Sequence, residues 1–433
     1  MPPPQWEPIP GVNVSQVPFR LDGWQYGEDK IFDLAQRVRA IAPHHHIYAG
    51  HGGKAFGLSI AQAIADGVFW VPPWRALSSI DEEAVPSRWT MVRSNAMDED
   101  WVSPDSGAHE SKLAYSQARM RELVEEMLPK CEAVVVQSFV SGVGLVIDLG
   151  WSELLHRNVL RVAIGIPSRQ GDGYIYTSPT WDNEAAVGVF DAVTGEAIVN
   201  LNPHYFDVMR IVDKMVHRII PRLIDWGITF GLQFEFVGSL TDPENDALVQ
   251  VRPSPGDLRG AVPKEPTDGH QLLATTGKVN RPGEAKGKTI WVNGMNDRRP
   301  PKPLYSQIGD VGRSELYNDG GLNHEFEGNI VVWNYDALQR YGYSLWQVLG
   351  AWKVGAIAQI ASRGLFLNSA HGTSIELWHR DPEEIEAFRR AKTAGPTFCI
   401  DQDVLRELVR ACHTTPITLH VVSDGLVGQV YKL

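Results

Sequence analysis

The chain has 433 residues, of which 43% are hydrophobic and 21% charged, and a net charge of -12. This composition is typical of a soluble globular protein of two or three domains and excludes a disordered or collagen-like chain. The acidic balance argues against nucleic acid or an anionic membrane as the main partner, because phosphate backbones are bound through excess Lys and Arg.

The cysteines and the N-terminal segment bear on location. Cys131, Cys399 and Cys412 are too scattered for a disulfide framework or a zinc cluster. The first ten residues, MPPPQWEPIP, lack a basic segment followed by an apolar run, and no stretch is apolar for the roughly 18 residues of a membrane span. We therefore expect a cytoplasmic protein with no membrane partner.

Helical and strand-like patterns alternate along the chain, which predicts an α/β (α+β) fold. Apolar spacing predicts helices over 55–64, over 120–128 after a possible cap at Ser111, over 205–226 before Gly227, and over 345–362. Short β-branched or apolar runs predict strands over 133–136, 232–237, 247–251, 328–332 and 365–367. The TDPEND turn between the second and third of these strands indicates a hairpin.

The richest Pro and Gly content lies between Arg252 and Pro303, which is typical of exposed turns or an interdomain connection. We therefore predict a first domain over 1–260, a linker and domain entry over 261–303, and a second domain over 304–433.

Two N-terminal segments suit a polyphosphate. His51-Gly52-Gly53-Lys54 precedes a predicted helix, so that glycine N–H groups, the helix start and a lysine favour anions there, although the spacing is not that of a Walker loop. Arg93 follows a β-like run in MVRSNAMDED, where a guanidinium can grip phosphate oxygens. Each segment alone is more often a plain turn or a surface arginine beside a solvated acidic turn.

The predicted hairpin places polar side chains on one face. Glu235 alternates with phenylalanines in QFEF, and Gln250 and Arg252 share a face of VQVR. If the strands pair, Glu235 and Gln250 converge and offer two oxygen ligands of the kind that Mg²⁺ prefers, with Arg252 beside them. The alternative is a hairpin with one solvated polar face.

In order and content these segments resemble the ATP-grasp domain of the phosphoenolpyruvate synthase and pyruvate phosphate dikinase family. The matching pieces over about residues 50–260 are GGKAFGL, VRSNAMDED, DSGAHES, VVVQSFVSGVG, QFEFVGSL and VQVRPSPG. The chain departs from the family at Asn95 and Met97, where the family has Ser and Thr, and in its SGAHES loop.

The resemblance implies that ATP and Mg²⁺ are the cofactors. It places Lys54 and Arg93 on the triphosphate, Gly107 in a mobile loop that covers the phosphates, and Gln137 beside the adenine. It also makes Glu235 and Gln250 the Mg²⁺ ligands and Arg252 a catalytic residue beside the phosphates.

The C-terminal part resembles the swivelling phosphohistidine domain of the same family, through GNIVV, SAHGTS, AGPTFCI and SDGLVGQVYKL. His371 lies among small residues, where a neutral imidazole is an accessible nucleophile, although a lone histidine is more often a surface or capping residue. The resemblance implies that His371 accepts the β-phosphoryl group of ATP, and we expect the 252–303 segment to be the hinge.

The hypothesis is an ATP-dependent phosphotransferase of the dikinase type that passes the phosphoryl group from His371 to a small-molecule acceptor. Because 433 residues leave no room for the family's acceptor-binding barrel, we expect the acceptor site either on a separate partner subunit or within the segments where this chain departs from the family. The alternatives are an ATP-grasp ligase that forms an acyl phosphate, and a non-catalytic nucleotide-binding subunit.

The run His44-His45-His46 with His51 is interpreted as structural or pocket lining, because consecutive residues of a strand or helix cannot all converge on one ion.

Overall fold

A computed structural model describes the fold over the greater part of the chain. The described residues are 14–21, 23–80, 89–96, 100–101, 111–164, 168–170, 173–175, 186–200, 208–238, 246–254, 270–277, 279, 282–292, 327–333, 355–361, 396–400 and 402–433. They form a mixed α/β structure, as the alternating patterns predicted. The chain divides into two compact units, one of residues 1–152 and 156–256 and one of residues 153–155 and 257–433.

In the described part of the first unit, two larger sheets and one separate strand pair are accompanied by helices. The helices are α1 (Glu28–Ile41), α2 (Gly53–Ala65), α3 (Gln117–Met127), α4 (Met209–Lys214) and α5 (Ile220–Asp225). The strands are β1 (Trp74–Leu77), β2 (Thr90–Asn95), β3 (Ser111–Ala114), β4 (Ala133–Ser138), β5 (Val143–Ser152), β6 (Arg157–Ile164), β7 (Ser168–Gln170), β8 (Gly173–Ile175), β9 (Ala186–Asp191), β10 (Ala197–Val199), β11 (Leu232–Gly238) and β12 (Ala247–Pro253).

These strands form a four-stranded sheet in the order β1-β4-β2-β3, a six-stranded sheet in the order β10-β9-β6-β5-β11-β12, and the separate pair β7-β8. The two larger sheets are antiparallel at each of their described strand pairs. The predicted hairpin of Leu232–Val237 and Ala247–Val251 is confirmed as β11 and β12.

Helix α2 packs against both sheets of the first unit. Phe56, Ile60 and Ile64 belong to the large core that includes strands of the six-stranded sheet. Ala55 and Leu58 pack with Ala133 and Val135 of the four-stranded sheet. A helix that is apolar on two faces is typical of a fully buried element, and all of its residues except Gln62 are buried.

Two sequence expectations about helix ends need correction. Helix α3 is capped by Ser116, whose hydroxyl accepts from the Arg119 N–H, while the predicted cap Ser111 begins strand β3. The predicted 205–226 helix is described from Met209 onward and contains a π-helical turn, Met215–Ile219, between α4 and α5. The turn lies just before Pro221, which has no N–H for a regular helical hydrogen bond.

The second unit contains a seven-stranded mixed sheet with one described helix. Its elements are β13 (Gln271–Thr276), β14 (Pro282–Val292), β15 (Ile330–Trp333), β16 (Ala358–Ala361), β17 (Thr397–Cys399), α6 (Gln402–Thr414), β18 (Thr418–Asp424) and β19 (Gly428–Lys432). The strand order is β13-β19-β18-β14-β15-β16-β17. The pairs from β14 to β17 are parallel and the others antiparallel.

The helix predicted over 345–362 is wrong at its C-terminal end. Ala358–Ala361 is the strand β16, which pairs in parallel with both β15 and β17. A strand buried on both faces is almost uniformly apolar, so that its pattern does not differ from that of a buried helix. The strand predicted at 365–367 lies outside the described residues.

Among the residues that the structure describes, no helix combines the length and the apolar character needed to cross a bilayer.

Candidate functional site

The hairpin of β11 and β12 brings three predicted site residues together at the edge of the six-stranded sheet. Glu235 lies opposite Gln250, and Gln233 lies opposite Arg252. Gln250 and Arg252 are almost fully buried, whereas Glu235 is partly exposed. The polar face is therefore not the solvated hairpin face of the alternative interpretation.

A β-bulge at Val249 determines which side chains share that face. The register passes from the Glu235–Gln250 pair to the Phe236–Leu248 pair, which leaves Val249 without a partner in β11. Leu248 consequently packs into the core with Phe236 although it is two residues from Gln250. The Val249 carbonyl accepts a hydrogen bond from Gln137 Nε2 at 3.3 Å, which links the edge strand to β4 of the other sheet.

The N-terminus of α2 places Lys54 in the same region, but the backbone amides there have protein partners. Asn95 Oδ1 accepts from the N–H groups of Lys54, at 2.9 Å, and Ala55, at 3.1 Å, and Gly53 N–H donates to the Ala96 carbonyl. The expectation that this helix start offers its N–H groups to a polyphosphate is therefore wrong for these three residues. Asn95, where the resembled family has Ser, supplies the cap.

Two glycines allow this close packing. Gly52 has a φ of +98°, and a Cβ atom there would lie 2.7 Å from the Asn95 side chain. At Gly57, a Cβ atom would lie 2.3 Å from the Val251 carbonyl oxygen. These glycines hold α2 against β2 and β12, so that Lys54 lies near the strands of Arg93 and Arg252.

Arg93 lies in the middle of β2 and reaches across to β12. Its Nη2 donates to Gln250 Oε1 at 2.7 Å, while Gln250 Nε2 donates to Asp100 Oδ2 at 2.6 Å. Arg93 Nε is buried and has no hydrogen-bond partner in the described part of the chain. A buried donor without a partner is costly and fits an acceptor supplied by a ligand.

Asp100 is the residue that links the cluster, and sequence analysis missed it. Its carboxylate accepts from Gln250 and forms an ion pair with Arg252 at 3.1 Å, and the residue is 3% exposed. The neighbouring Trp101 fixes its position, because the indole N–H donates to the Val251 carbonyl. In the sequence, Asp100 is the last residue of an acidic run, DED, of the kind that is typical of solvated turns. The tryptophan that follows it was the one feature that could have indicated that Asp100 is buried.

The charge network extends further into the sheet. Arg252 donates to Gln233 Oε1 at 2.8 Å, and Gln233 Nε2 donates to Asp148 Oδ1 at 2.7 Å. Asp148 in turn forms an ion pair with Arg161 at 2.9 Å. This part of the network could have been predicted from the sequence, because single polar residues interrupt the otherwise apolar strands β5 and β6.

The ionisation of Lys54 is strongly affected by its burial in the cluster. Burial lowers the pKa of its ammonium group from 10.5 to about 7; Asp100 opposes this change, while Arg93 and Arg252 add to it. Lys54 Nζ donates to the Ser94 carbonyl at 3.1 Å. At neutral pH Lys54 is therefore poised between its charged and neutral forms.

The acid and the guanidinium at the centre of the cluster stabilise each other's charge. Burial alone raises the pKa of Asp100, but Arg252, Lys54 and Arg93 together hold that pKa below its ordinary value. Burial alone lowers the pKa of Arg252, and Asp100 and Glu235 more than offset this, so that the pKa is raised. Both groups are charged at neutral pH.

As arranged, the two predicted magnesium ligands do not fit Mg²⁺. Gln250 Oε1 accepts from the Arg93 guanidinium, and the Glu235 carboxylate lies 3.5 Å from Arg252 Nη2. A divalent cation at these oxygens would meet two guanidinium groups, and only one ligand would carry a negative charge. The cluster is a better match for an anion.

Two predicted site residues, Gly107 and His371, lie outside the described residues. Of the C-terminal motif, SDGLVGQV forms the β18–β19 hairpin, where Asp424 Oδ1 accepts from the N–H groups of Leu426 and Val427. Asp424 thus stabilises a turn.

No protein-family profile and no curated protein matches the chain. Among solved structures, the dinucleotide-forming acetyl-coenzyme A synthetase 1 of Ca. Korarchaeum cryptofilum, in complex with coenzyme A, is 16% identical with a TM-score of 0.30, over 45% of this chain and 90% of that chain. A D-alanine–D-alanine ligase from Bacillus anthracis, complexed with ATP, is 10% identical with a TM-score of 0.26, over 49% and 60%. An N5-carboxyaminoimidazole ribonucleotide synthetase in its ADP complex is 10% identical with a TM-score of 0.30, over 54% and 58%. Scores and identities this low do not establish a shared fold.

Proposed function

We propose that the first unit binds ATP and that the chain is an ATP-dependent enzyme with an ATP-grasp nucleotide site. The observation that supports this most directly is the convergence of Lys54, Arg93 and Arg252 on one buried acidic centre. These cations come from α2, β2 and β12, which are far apart in the sequence. Collinear segments of the same residue types underlie the resemblance to the ATP-grasp family.

The charge balance of the cluster favours a polyphosphate. Three basic side chains face the carboxylates of Asp100 and Glu235, so that protonated Lys54 leaves an excess of one positive charge. Arg93 Nε, which has no partner among the described residues, adds a buried donor. A phosphate group supplies the missing charge and acceptor, and guanidinium groups suit its geometry.

The roles of the remaining predicted residues follow from the same proposal. Gln137 is nearly buried where β4 meets the bulge of β12, and we assign it to the adenine end of the nucleotide. Magnesium binding by Glu235 and Gln250 would require Arg93 to leave Gln250, and no step proposed here depends on it. Gly107 is proposed to cover the phosphates.

For the chemistry that follows ATP binding, we propose phosphoryl transfer to His371 and then to a small-molecule acceptor. The order of motifs in the C-terminal part supports this dikinase-type reaction. The alternative is a ligase that forms an acyl phosphate from a carboxylate and releases ADP, because the cation cluster fits the phosphates of either enzyme. A possible separate subunit would supply the acceptor site.

Product analysis separates these chemistries. The protein is incubated with ATP labelled at the β or γ phosphate, and nucleotides and protein are analysed by chromatography and mass spectrometry. We expect AMP, inorganic phosphate released from the γ position by water, and an acid-labile β-phosphoryl group on the protein. The protein label should be lost in His371→Ala but retained in the control His217→Ala, which replaces a partly exposed histidine of the first unit. ADP with an unlabelled protein, seen only when a carboxylate is added, would instead establish the ligase.

The ATP site itself is tested by calorimetry with ATP, tripolyphosphate and adenosine. We expect ATP and tripolyphosphate to bind, and both to weaken in Lys54→Met. Absence of ATP binding by the folded full chain would overturn the proposal.

A further inference from the structure

The far end of α2 holds a cluster that the proposed ATP site does not use. Asp66 follows the last residue of α2, and His44 and His45 lie in the turn that follows α1. The Asp66 Oδ2 atom is 3.4 Å from His44 Nε2 and 3.5 Å from His45 Nε2. One ligand atom of each residue lies within 4.8 Å of those of the other two.

The turn explains why two neighbouring histidines converge here. On a strand, adjacent side chains point to opposite faces, and on a helix they are about 100° apart, which was the reason for interpreting the histidine run as structural. In the turn after α1, the rings of His44 and His45 are instead 4.2 Å apart, with an angle of 47° between their planes. His46 turns away and its ring packs against Tyr48.

We propose that His44, His45 and Asp66 form a binding site for Zn²⁺ or a similar transition-metal ion. Tetrahedral ligands at about 2.0–2.1 Å from zinc are separated from each other by about 3.3 Å. The two imidazole-to-carboxylate separations are close to this value. His45 Nε2 is buried and, apart from the Asp66 carboxylate 3.5 Å away, has no polar partner in the described part of the chain, as expected of a nitrogen placed to bind a metal ion.

The surroundings favour a cation. Helix α1 ends just before this turn, so that the partial negative charge of its C-terminus lies near the cluster. Arg222 donates to the backbone carbonyls of Ile64 and Asp66, which leaves the Asp66 carboxylate to the imidazoles.

The donor set selects the class of metal. Two imidazoles and one carboxylate suit Zn²⁺, Co²⁺ or Ni²⁺, whereas Mg²⁺ and Ca²⁺ prefer oxygen ligands. His44 and Asp66 are more than half exposed, so that water can occupy the fourth position. Lys54 and Asp66 are separated by about 18 Å of helix, and the site therefore does not depend on the proposed ATP site.

Zinc titration by calorimetry on the metal-free full chain tests the proposal. We expect one equivalent of Zn²⁺ to bind, with affinity at least about tenfold weaker in His45→Ala and in Asp66→Asn. His46→Ala is the matched control, because His46 is adjacent and exposed but points away. His217→Ala is a second control, because His217 forms an exposed pair with Asp213 for which the described residues offer no third ligand.

Cobalt replaces zinc in a spectroscopic test of the geometry. Tetrahedral Co²⁺ with nitrogen and oxygen ligands gives intense visible bands, which we expect in the wild type and in His46→Ala but not in Asp66→Asn. Zinc binding that is absent, that persists in both cluster variants, or that falls equally in His46→Ala would overturn the site. Circular dichroism of each variant shows that a loss of binding is not a loss of folding.

Discussion

At the N-terminal end of α2, Lys54 is 5% exposed and is surrounded by Arg93, Arg252 and Asp100. At the C-terminal end, Asp66 is 58% exposed and has two imidazoles as neighbours. The helix dipole favours anions at the first end and cations at the second. The N-terminal amides, however, are occupied by Asn95 and Ala96. The carbonyls of Ile64 and Asp66 at the second end are likewise occupied, by Arg222. Both ends therefore depend mainly on side-chain groups, which are buried at the first end and largely exposed at the second.

The largest effect on stability is expected where a buried charge loses its ion-pair partner. Arg252→Met leaves the buried Asp100 carboxylate without its ion pair, and we expect a loss of about 3–5 kcal/mol in the free energy of unfolding. Arg119→Met breaks the exposed Arg119–Glu122 pair and should cost less than about 1 kcal/mol. Urea denaturation measures both, and equal losses would contradict the contrast between buried and exposed charges.

The next largest effect is expected on ATP affinity and on the proton uptake that accompanies ATP binding. Lys54→Met should weaken ATP binding by about 100-fold, the amount expected for a charge-assisted hydrogen bond in a buried site. In the wild type at pH near 8, Lys54 is mostly neutral until phosphate raises its pKa, so that binding should take up close to one proton. Calorimetry in buffers of different ionisation enthalpy measures the uptake, which should vanish in Lys54→Met.

Lys54 also predicts whether the free energy of unfolding rises or falls with pH. Its folded pKa of about 7 is below the ordinary value of 10.5, so the unfolded chain binds more protons between these pH values. Lys54 therefore makes stability rise with pH across that window, and its effect is gone above it. Lys54→Met should remove this rise, and a wild-type profile that falls from pH 7 to 9 relative to the variant would refute it.

A smaller effect is expected at the cap of α2. Asn95→Ala removes the acceptor for two amides and should cost about 1–2 kcal/mol in unfolding free energy. Ser116→Ala, at the more exposed cap of α3, loses one such bond and should cost about 1 kcal/mol or less. Equal values by urea denaturation would mean that the Asn95 cap adds nothing beyond an ordinary one.

The smallest effect is the coupling between the two ends. Since they lie about 18 Å apart and no described residue is seen to contact both, the effects of Lys54→Met and Asp66→Asn on unfolding should add to within about 0.5 kcal/mol. Zinc should likewise leave ATP affinity almost unchanged. A larger interaction energy would show that the helix transmits a change from one end to the other.

The sequence was informative where a pattern is local. The β-branched run at 133–136 and the alternation in QFEF and VQVR predicted strands that form, and period-two spacing placed Gln250 and Arg252 on one face. Asp100 and Asn95 were not predicted because their partners lie far along the chain: Asp100 binds Arg252, and Asn95 caps a helix that begins at Gly53. Acidic and amide side chains are common in solvated turns, so composition alone hides such long-range contacts.

The bulge at Val249 accommodates one residue without changing which side chains share a face. In simple alternation Leu248 and Gln250 would lie on the same face, whereas the bulge lets Leu248 enter the core while Gln250 and Arg252 remain beside Asp100. A deletion of one codon at this point would make Leu248 and Gln250 adjacent, so that they would still lie on opposite faces. Related chains that keep the cluster are therefore expected either to have both the bulge and this residue or to lack both.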